Sequence, residues 1–210
     1  KLNPLLRESY SNLGSALSYQ GKYASAIISF EKAITIDPNY DHANQNLFEV
    51  MINLDPQKAI FKLKSFLSNN PSSFLSAHML AQVYEKNGLS DEAIKYYKLA
   101  IKAKSDYYPS YNNLGLIYSN KEQFGKAVQV FKNGLRMCLL SDKNLPGQMN
   151  FYKNAGRLFS LAKQFNYAKL CFEKALQIDP ACENSLAQKI FLEQLTCNWS
   201  EIEKYSAYIK

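Results

Sequence analysis

One stretch of this chain, residues 7–40 (RESYSNLGSALSYQGKYASAIISFEKAITIDPNY), leaves little freedom in how it can fold. Tyr10, Leu13, Gly14 and Leu17 stand at i, i+3, i+4 and i+7, which places them on one face of a first helix. Ala26, Phe30 and Ala33 share one face of a second helix. Gly21 and Lys22 supply the turn between the two, and Asp37-Pro38 ends the second helix, because proline disfavours helical geometry in the residue before it. An arbitrary amphipathic pair would not also need Gly14 and Ala26 to be small. Two helices that cross closely do need it, with Phe30 filling the space beside the crossing.

The pattern returns along the chain with variations. Residues 41–73 keep Asn44, Leu47 and Met51 on the first helix and Ala59, Leu63 and Phe66 on the second, but Phe48 stands in the small slot. The close crossing must relax there, and Asp55-Pro56 replaces the glycine turn, with Pro56 suited to open a helix. Residues 74–107 restore the pattern with Ala77, Leu80-Ala81, Tyr84, Gly88, Ala93, Tyr97 and Ala100. Residues 108–141 carry Tyr111, Leu114-Gly115, Tyr118, Ala127 and Phe131, then Gly134 where an alanine is expected, a helix-weakening choice of up to about 1 kcal/mol. Seven extra residues, 142–148, follow a second helix that the spacing predicts to be long. Residues 149–182 are regular again: Tyr152, Ala155-Gly156, Phe159, Ala168, Phe172, Ala175 and Asp179-Pro180. Beyond them, 183–196 reads as a capping helix with Leu186, Ile190 and Leu195 on its apolar face, and Asn198 and Glu201 cap a last one.

In order and spacing these residues resemble the tetratricopeptide repeat. The resemblance implies an all-α fold: a right-handed α-solenoid of about five helix-turn-helix repeats with capping helices over 183–210, the whole of 1–210 forming one domain with a concave groove. It also implies a scaffold for protein–protein interaction. The subclass that clamps a terminal carboxylate is excluded, since Ser11 and Ser15 stand where it has lysine and asparagine. A second, shorter resemblance lies in the tail, Leu195 to Glu201, whose Cys197-Asn198-Trp199-Ser200-Glu201 is similar to the exit of the repeat region in O-GlcNAc transferase and SPINDLY-type glycosyltransferases.

Composition bounds the function. The chain is 47% hydrophobic and 20% charged, the balance of an ordered domain, and no apolar run nears the ~18 residues that span a membrane. It starts at Lys1, shows no leader pattern, and reads as a piece of something longer. Cys138, Cys171, Cys182 and Cys197 follow neither a metal-binding nor a disulfide spacing, which points to thiols in a reducing compartment, the cytoplasm. Only Cys171 falls on an inner helix face. With two histidines, His42 and His78, placed apart from any partner, no Gly-rich phosphate loop and no HExxH, the sequence offers no catalytic residue, metal site or cofactor. These residues are a non-enzymatic piece, and function must come from surface.

In the first helix of such a repeat, the residue before the leucine slot faces the groove. Those residues are Asn12, Asn46, Met79, Asn113 and Asn154. An Asn amide both donates and accepts, so a ladder of them can hold an extended peptide by its backbone. Asparagine is also common at this slot whatever the ligand, so the ladder carries both readings. Ser11, Ser15, Gln45, Glu49, His78, Gln82, Asn112 and Ser119 are expected beside it, and Lys153 and Arg157 make one end basic. The leading reading is a scaffold that binds an extended peptide or partner protein in the groove. The alternative is the substrate-recruiting arm of an O-GlcNAc transferase-like enzyme whose catalytic lobes lie outside these residues.

The net charge of +7 is concentrated: residues 56–104 hold eight lysines and three acids. A nucleic-acid interface would add arginines and interleaved aromatics, yet Arg7, Arg136 and Arg157 stand far apart. The lysines fall mainly on second helices and read as a solvated outer face, with no nucleic-acid partner and no membrane partner. Binding to a mixed oligonucleotide pool is therefore expected to be weak and to collapse with modest salt; submicromolar binding that survives ~0.2 M salt would contradict this.

Overall fold

The computed structural model describes residues 4–38, 40–140 and 147–196. Among them are eleven helices: α1 (Pro4–Tyr19), α2 (Tyr23–Ile36), α3 (Asp41–Leu54), α4 (Pro56–Asn69), α5 (Phe74–Lys86), α6 (Ser90–Ala103), α7 (Tyr108–Asn120), α8 (Phe124–Leu140), α9 (Gln148–Leu161), α10 (Phe165–Ile178) and α11 (Glu183–Leu195). The fold is all-α, and the described residues form five helix hairpins and a further helix. It divides into two compact units, Lys1–Ala103 and Lys104–Lys210. In the first unit α1, α3 and α5 touch in succession, as do α7 and α9 in the second. No described helix is long and apolar enough to cross a membrane.

Four of the five hairpins close on a small residue of the first helix: Gly14, Ala81, Gly115 and Gly156. Phe30, Tyr97, Phe131 and Phe172 are fully buried on second helices. A β-carbon added at Gly14 would come within 2.6 Å of Phe30 Cε1, one at Gly156 within 2.8 Å of Phe172 Cε1, and one at Gly115 would collide with the Phe131 ring. The second repeat inverts the arrangement. Phe48 occupies the small slot, Leu63 occupies the aromatic slot, both are buried, and Phe48 meets Phe66 edge-on at 6.0 Å. This is the expected local relaxation, and α3 and α4 touch less than α1 and α2 do.

The turns share one geometry. Gly21 and Gly88 adopt φ of 75°, and Glu122 and Lys163 occupy the same place with φ of 58° and 55°. In all four turns the central N–H bonds the carbonyl three residues back, and the next N–H bonds the carbonyl five back: Gly21 to Ser18 and Lys22 to Leu17, repeated through Lys163 to Ser160 and Gln164 to Phe159. This is a Schellman closure, which needs a left-handed residue. Repeats four and five accept a non-glycine there. In the second repeat Pro56 opens α4, and the Asp55 carboxylate accepts from Lys58 N at 3.0 Å.

Three expectations are corrected. Leu13 is 49% exposed, whereas Leu47 and Leu80 in the same slot are buried. Those two sit beside a preceding hairpin, and no described helix precedes α1. Gly134 is a packing requirement rather than a weak choice, since its β-carbon would lie 2.6 Å from Phe151 Cε2. On α11, Leu195 is half exposed, while Leu192, Lys189 and Glu193 are buried. Lys189 pairs with Glu173 at 3.1 Å and Lys169 with Glu193 at 2.7 Å. On each helix a lysine stands four residues before a glutamate, and each lysine pairs with the glutamate of the other helix, so α10 and α11 join through two reciprocal ion pairs. The helix expected from Asn198 lies outside the described residues, as does most of the 142–148 insertion. The long second helix of repeat four is present: α8 has 17 residues.

Gly125 and Gly134 lie on one helix and give opposite expectations. An added β-carbon at Gly125 meets nothing within 4 Å, whereas the Phe151 ring at Gly134 is buried among Tyr108, Phe131 and Tyr152 and cannot retreat. Gly125→Ala is expected to stabilise by about 0.4–1 kcal/mol, and Gly134→Leu to destabilise by about 1–3 kcal/mol. Thermal unfolding followed by circular dichroism reads both, and an unchanged midpoint for Gly134→Leu would contradict the packing.

Candidate functional site

The first-helix face of each unit carries the groove residues. In the first unit Asn12 is exposed on α1, and Asn46 on α3 is half-buried, its Nδ2 donating to Ser15 Oγ at 3.1 Å. Gln45 and Glu49, one helical turn apart on α3, join through Gln45 Nε2 and Glu49 Oε1 at 3.1 Å. Met79 does not line an open groove: it is 2% exposed. A thioether carries no strong polar group to hold at the surface, so in this slot it folds onto the core. Ser11 and His78 are buried as well. Ser11 Oγ shares a hydrogen bond with His42 Nδ1, 3.0 Å, and the His78 ring stands 5.3 Å from that of Tyr97, whose hydroxyl donates to Glu85 Oε2.

In the second unit the asparagines form a network. Asn154 Nδ2 donates to Asn112 Oδ1 at 2.8 Å, and Asn112 Nδ2 donates to Asn113 Oδ1 at 3.1 Å. Two ladder residues, on α7 and α9, are thus tied through Asn112. The amides are oriented by one another before any ligand arrives. Next to them lies a cleft of about 170 Å³ lined by Leu116, Ser119, Phe131, Asn154, Arg157, Leu158 and Leu161. Arg157 is exposed and Lys153 half-buried. The structure therefore brings Asn154 and Arg157 to one apolar cleft, with Asn113 linked to it. It leaves Asn12 apart and takes Met79 inside. The leucines were missed in the sequence because Leu116, Leu158 and Leu161 belong to two helices. Their only local signal is an apolar residue beside the slots already used for the core.

Among the described residues, no three His, Cys, Asp or Glu side chains gather as metal ligands. Cys138 and Cys171 are both buried free thiols. Burial pushes Cys138 up to about 12 and Cys171 also up, so neither is a ready nucleophile. Cys138, unlike Cys171, was not expected inside; it is carried there by the extra turn of α8.

Helix hairpins closed on small-residue crossings, with polar side chains along the first helices, define an α-solenoid of helical repeats. A tetratricopeptide repeat model matches residues 8–40, and a second model of the same description matches 76–107, 108–138 and 150–182. The chain belongs to the tetratricopeptide repeat family, and it is a protein-interaction scaffold of that kind. The matched segments pass over the second repeat, where Phe48 breaks the pattern. Anaphase-promoting complex subunit 3 of Schizosaccharomyces pombe is 24% identical over 220 aligned positions, covering 99% of this chain and 32% of that protein. Protein O-mannosyl-transferase TMTC3 of Homo sapiens is 28% identical over 161, covering 73% of this chain and 16% of that protein. The chain thus spans a minor part of either relative. The structure of Pseudomonas aeruginosa pilF superposes with a TM-score of 0.67 at 19% identity, covering 98% of this chain and 90% of that one.

Burial of His78 has a consequence for pH. Loss of hydration lowers its pKa from 6.5 to about 4. Between those values the unfolded chain binds a proton that the folded chain excludes, so stability falls as pH drops through this window. Between pH 7 and 4.5 the wild type is expected to lose on the order of 1–3 kcal/mol more stability than His78→Asn. Equal losses in urea titrations at the two pH values would contradict the buried neutral ring.

Proposed function

We propose that this scaffold, with both units in one repeat domain, binds a partner protein through an extended peptide on its first-helix face, anchored in the second unit. The observation that carries the reading is that Asn154 and Arg157 border the same apolar cleft while Asn154 is tied to Asn112 and Asn113. A cleft of about 170 Å³ has room for one branched or aromatic side chain against Leu116, Leu158 and Leu161. The amides of Asn113 and Asn154 then meet successive peptide groups, and Arg157 offers a guanidinium to a carboxylate on the ligand. In the first unit Asn12 and Asn46, with the ladder interrupted at Met79, offer a weaker contact of the same kind. The partner is a protein or peptide, with no nucleic acid or membrane. The buried free thiols support a reducing, cytoplasmic setting.

A second reading takes support from the O-mannosyl-transferase relative: the chain as the substrate-recruiting arm of a protein glycosyltransferase, itself non-catalytic. That relative transfers a different sugar from the O-GlcNAc enzymes that the tail resembles, and Cys197 to Glu201 lie outside the described residues. A nucleotide-sugar-binding α/β lobe encoded downstream of Lys210 would decide for this reading.

The groove reading is tested with a partner recovered by pull-down. Asn113→Ala with Asn154→Ala is expected to weaken binding by about 1–3 kcal/mol, roughly five- to hundredfold. Undiminished binding by a folded double variant would show that the asparagines are only background to the repeat.

A further inference from the structure

The slot two residues after the leucine slot changes character between the two units. Along the first helices it holds Ser15, Glu49 and Gln82 in the first unit, then Leu116, Arg157 and Phe191 in the second. A cation therefore stands between two large apolar side chains at equivalent places on α7, α9 and α11. Leu116 and Arg157 border the same cleft. Phe191 is 52% exposed, and one turn further along their helices Leu161 and Leu195 are 77% and 51% exposed. Large apolar side chains left in water on one face mark a surface that binds something. The amide slot continues there too, since Gln188 on α11 stands where Asn113 and Asn154 stand on α7 and α9.

The charge on this face has one sign. Helices α7 and α9 contain no carboxylate, and their cations are Lys153 and Arg157. Neither forms an ion pair with a described residue. On α11, Lys189 and Glu193 are buried in their pairs with α10. Asp106 and Glu183 stand at or before the helix starts, eight or more residues ahead of Leu116 and Phe191, and at the turn end Lys121 and Lys163 outnumber Glu122. Resting on the peptide reading above, we propose that the second unit selects a peptide in which an acidic residue is flanked by two large apolar ones. The carboxylate meets Arg157, one apolar side chain enters the cleft against Leu116, and the other lies on Phe191 and Leu195. Spacing follows from the helices. Neighbouring packed helices stand about 8–10 Å apart. A polyproline-II chain returns to the same side every third residue, after roughly 9 Å. The three side chains are therefore expected about three residues apart along the ligand.

The probe is a phage-displayed library of short random peptides, selected on the wild-type protein after subtraction on Arg157→Glu. Recovered peptides are expected to carry Asp or Glu with an aromatic or branched residue about three positions to either side. A synthetic representative, capped at both ends, is expected to bind at least about tenfold more weakly to Arg157→Gln and to Phe191→Ser. Exchanging its acid for the amide is expected to cost the wild type a similar factor and Arg157→Gln almost nothing. Both side chains are exposed, so both variants are expected to keep the wild-type thermal midpoint, which circular dichroism checks. No enrichment, a basic or uncharged consensus, or unchanged affinity in either variant would overturn the proposal. So would a clearly lowered midpoint in Phe191→Ser, which would give that side chain to the chain's own packing. Binding kept by these two variants but lost by Asn113→Ala/Asn154→Ala would overturn the proposal and leave the peptide reading standing. The converse pattern would support it and remove the amides from that reading.

Discussion

The structure depends on a contact in which one partner has no side chain. At Gly14, Gly115 and Gly156 an aromatic ring of the second helix occupies the volume a β-carbon would need. The rings supply the large apolar burial and the glycines let the backbones approach closely enough to receive it. Gly134 repeats the device between hairpins, admitting Phe151 of α9 against α8. Because ring and glycine fix the distance and rotation of the helices, they also fix which residues face outward. The amides of Asn112, Asn113 and Asn154 meet because α7 and α9 are held in register by these rings.

What the sequence made legible follows from the same contact. Small and aromatic residues at helical spacing, with Gly21, Gly88 and Pro56 at turns, are local signals, and they are enough to read the helix pairs from the sequence. Where the determining partner lies in another helix, the reading falls short. Gly134 reads as a weak helix former until Phe151 is placed beside it. Met79 and His78 follow the position rule for the groove, yet burial removes them because that rule concerns backbone direction and not what covers the side chain. Lys189 and Glu193 look like surface charges because the partners that permit their burial, Glu173 and Lys169, sit on α10. The Asn113–Asn154 link needed Asn112, a residue assigned to the groove but not to a bridge.

The degenerate second repeat shows that the contact can be exchanged as well as kept. Phe48 with Leu63 moves the ring to the first helix and the smaller residue to the second, and both are buried. Phe48 with Leu63 fills more volume than Gly14 with Phe30, and α3 and α4 accordingly touch less than α1 and α2 do.

The most direct measure of this account is a double-mutant cycle on Gly115→Ala and Phe131→Leu, read by thermal and urea unfolding. If ring and glycine are one unit, Phe131→Leu removes the obstacle to the added methyl, as Leu63 does for Phe48. The double variant should then be more stable than the sum of the single losses, with a coupling on the order of 1 kcal/mol. Strictly additive losses would contradict the account, since they would mean that the helices are held in register by something other than the ring over the glycine.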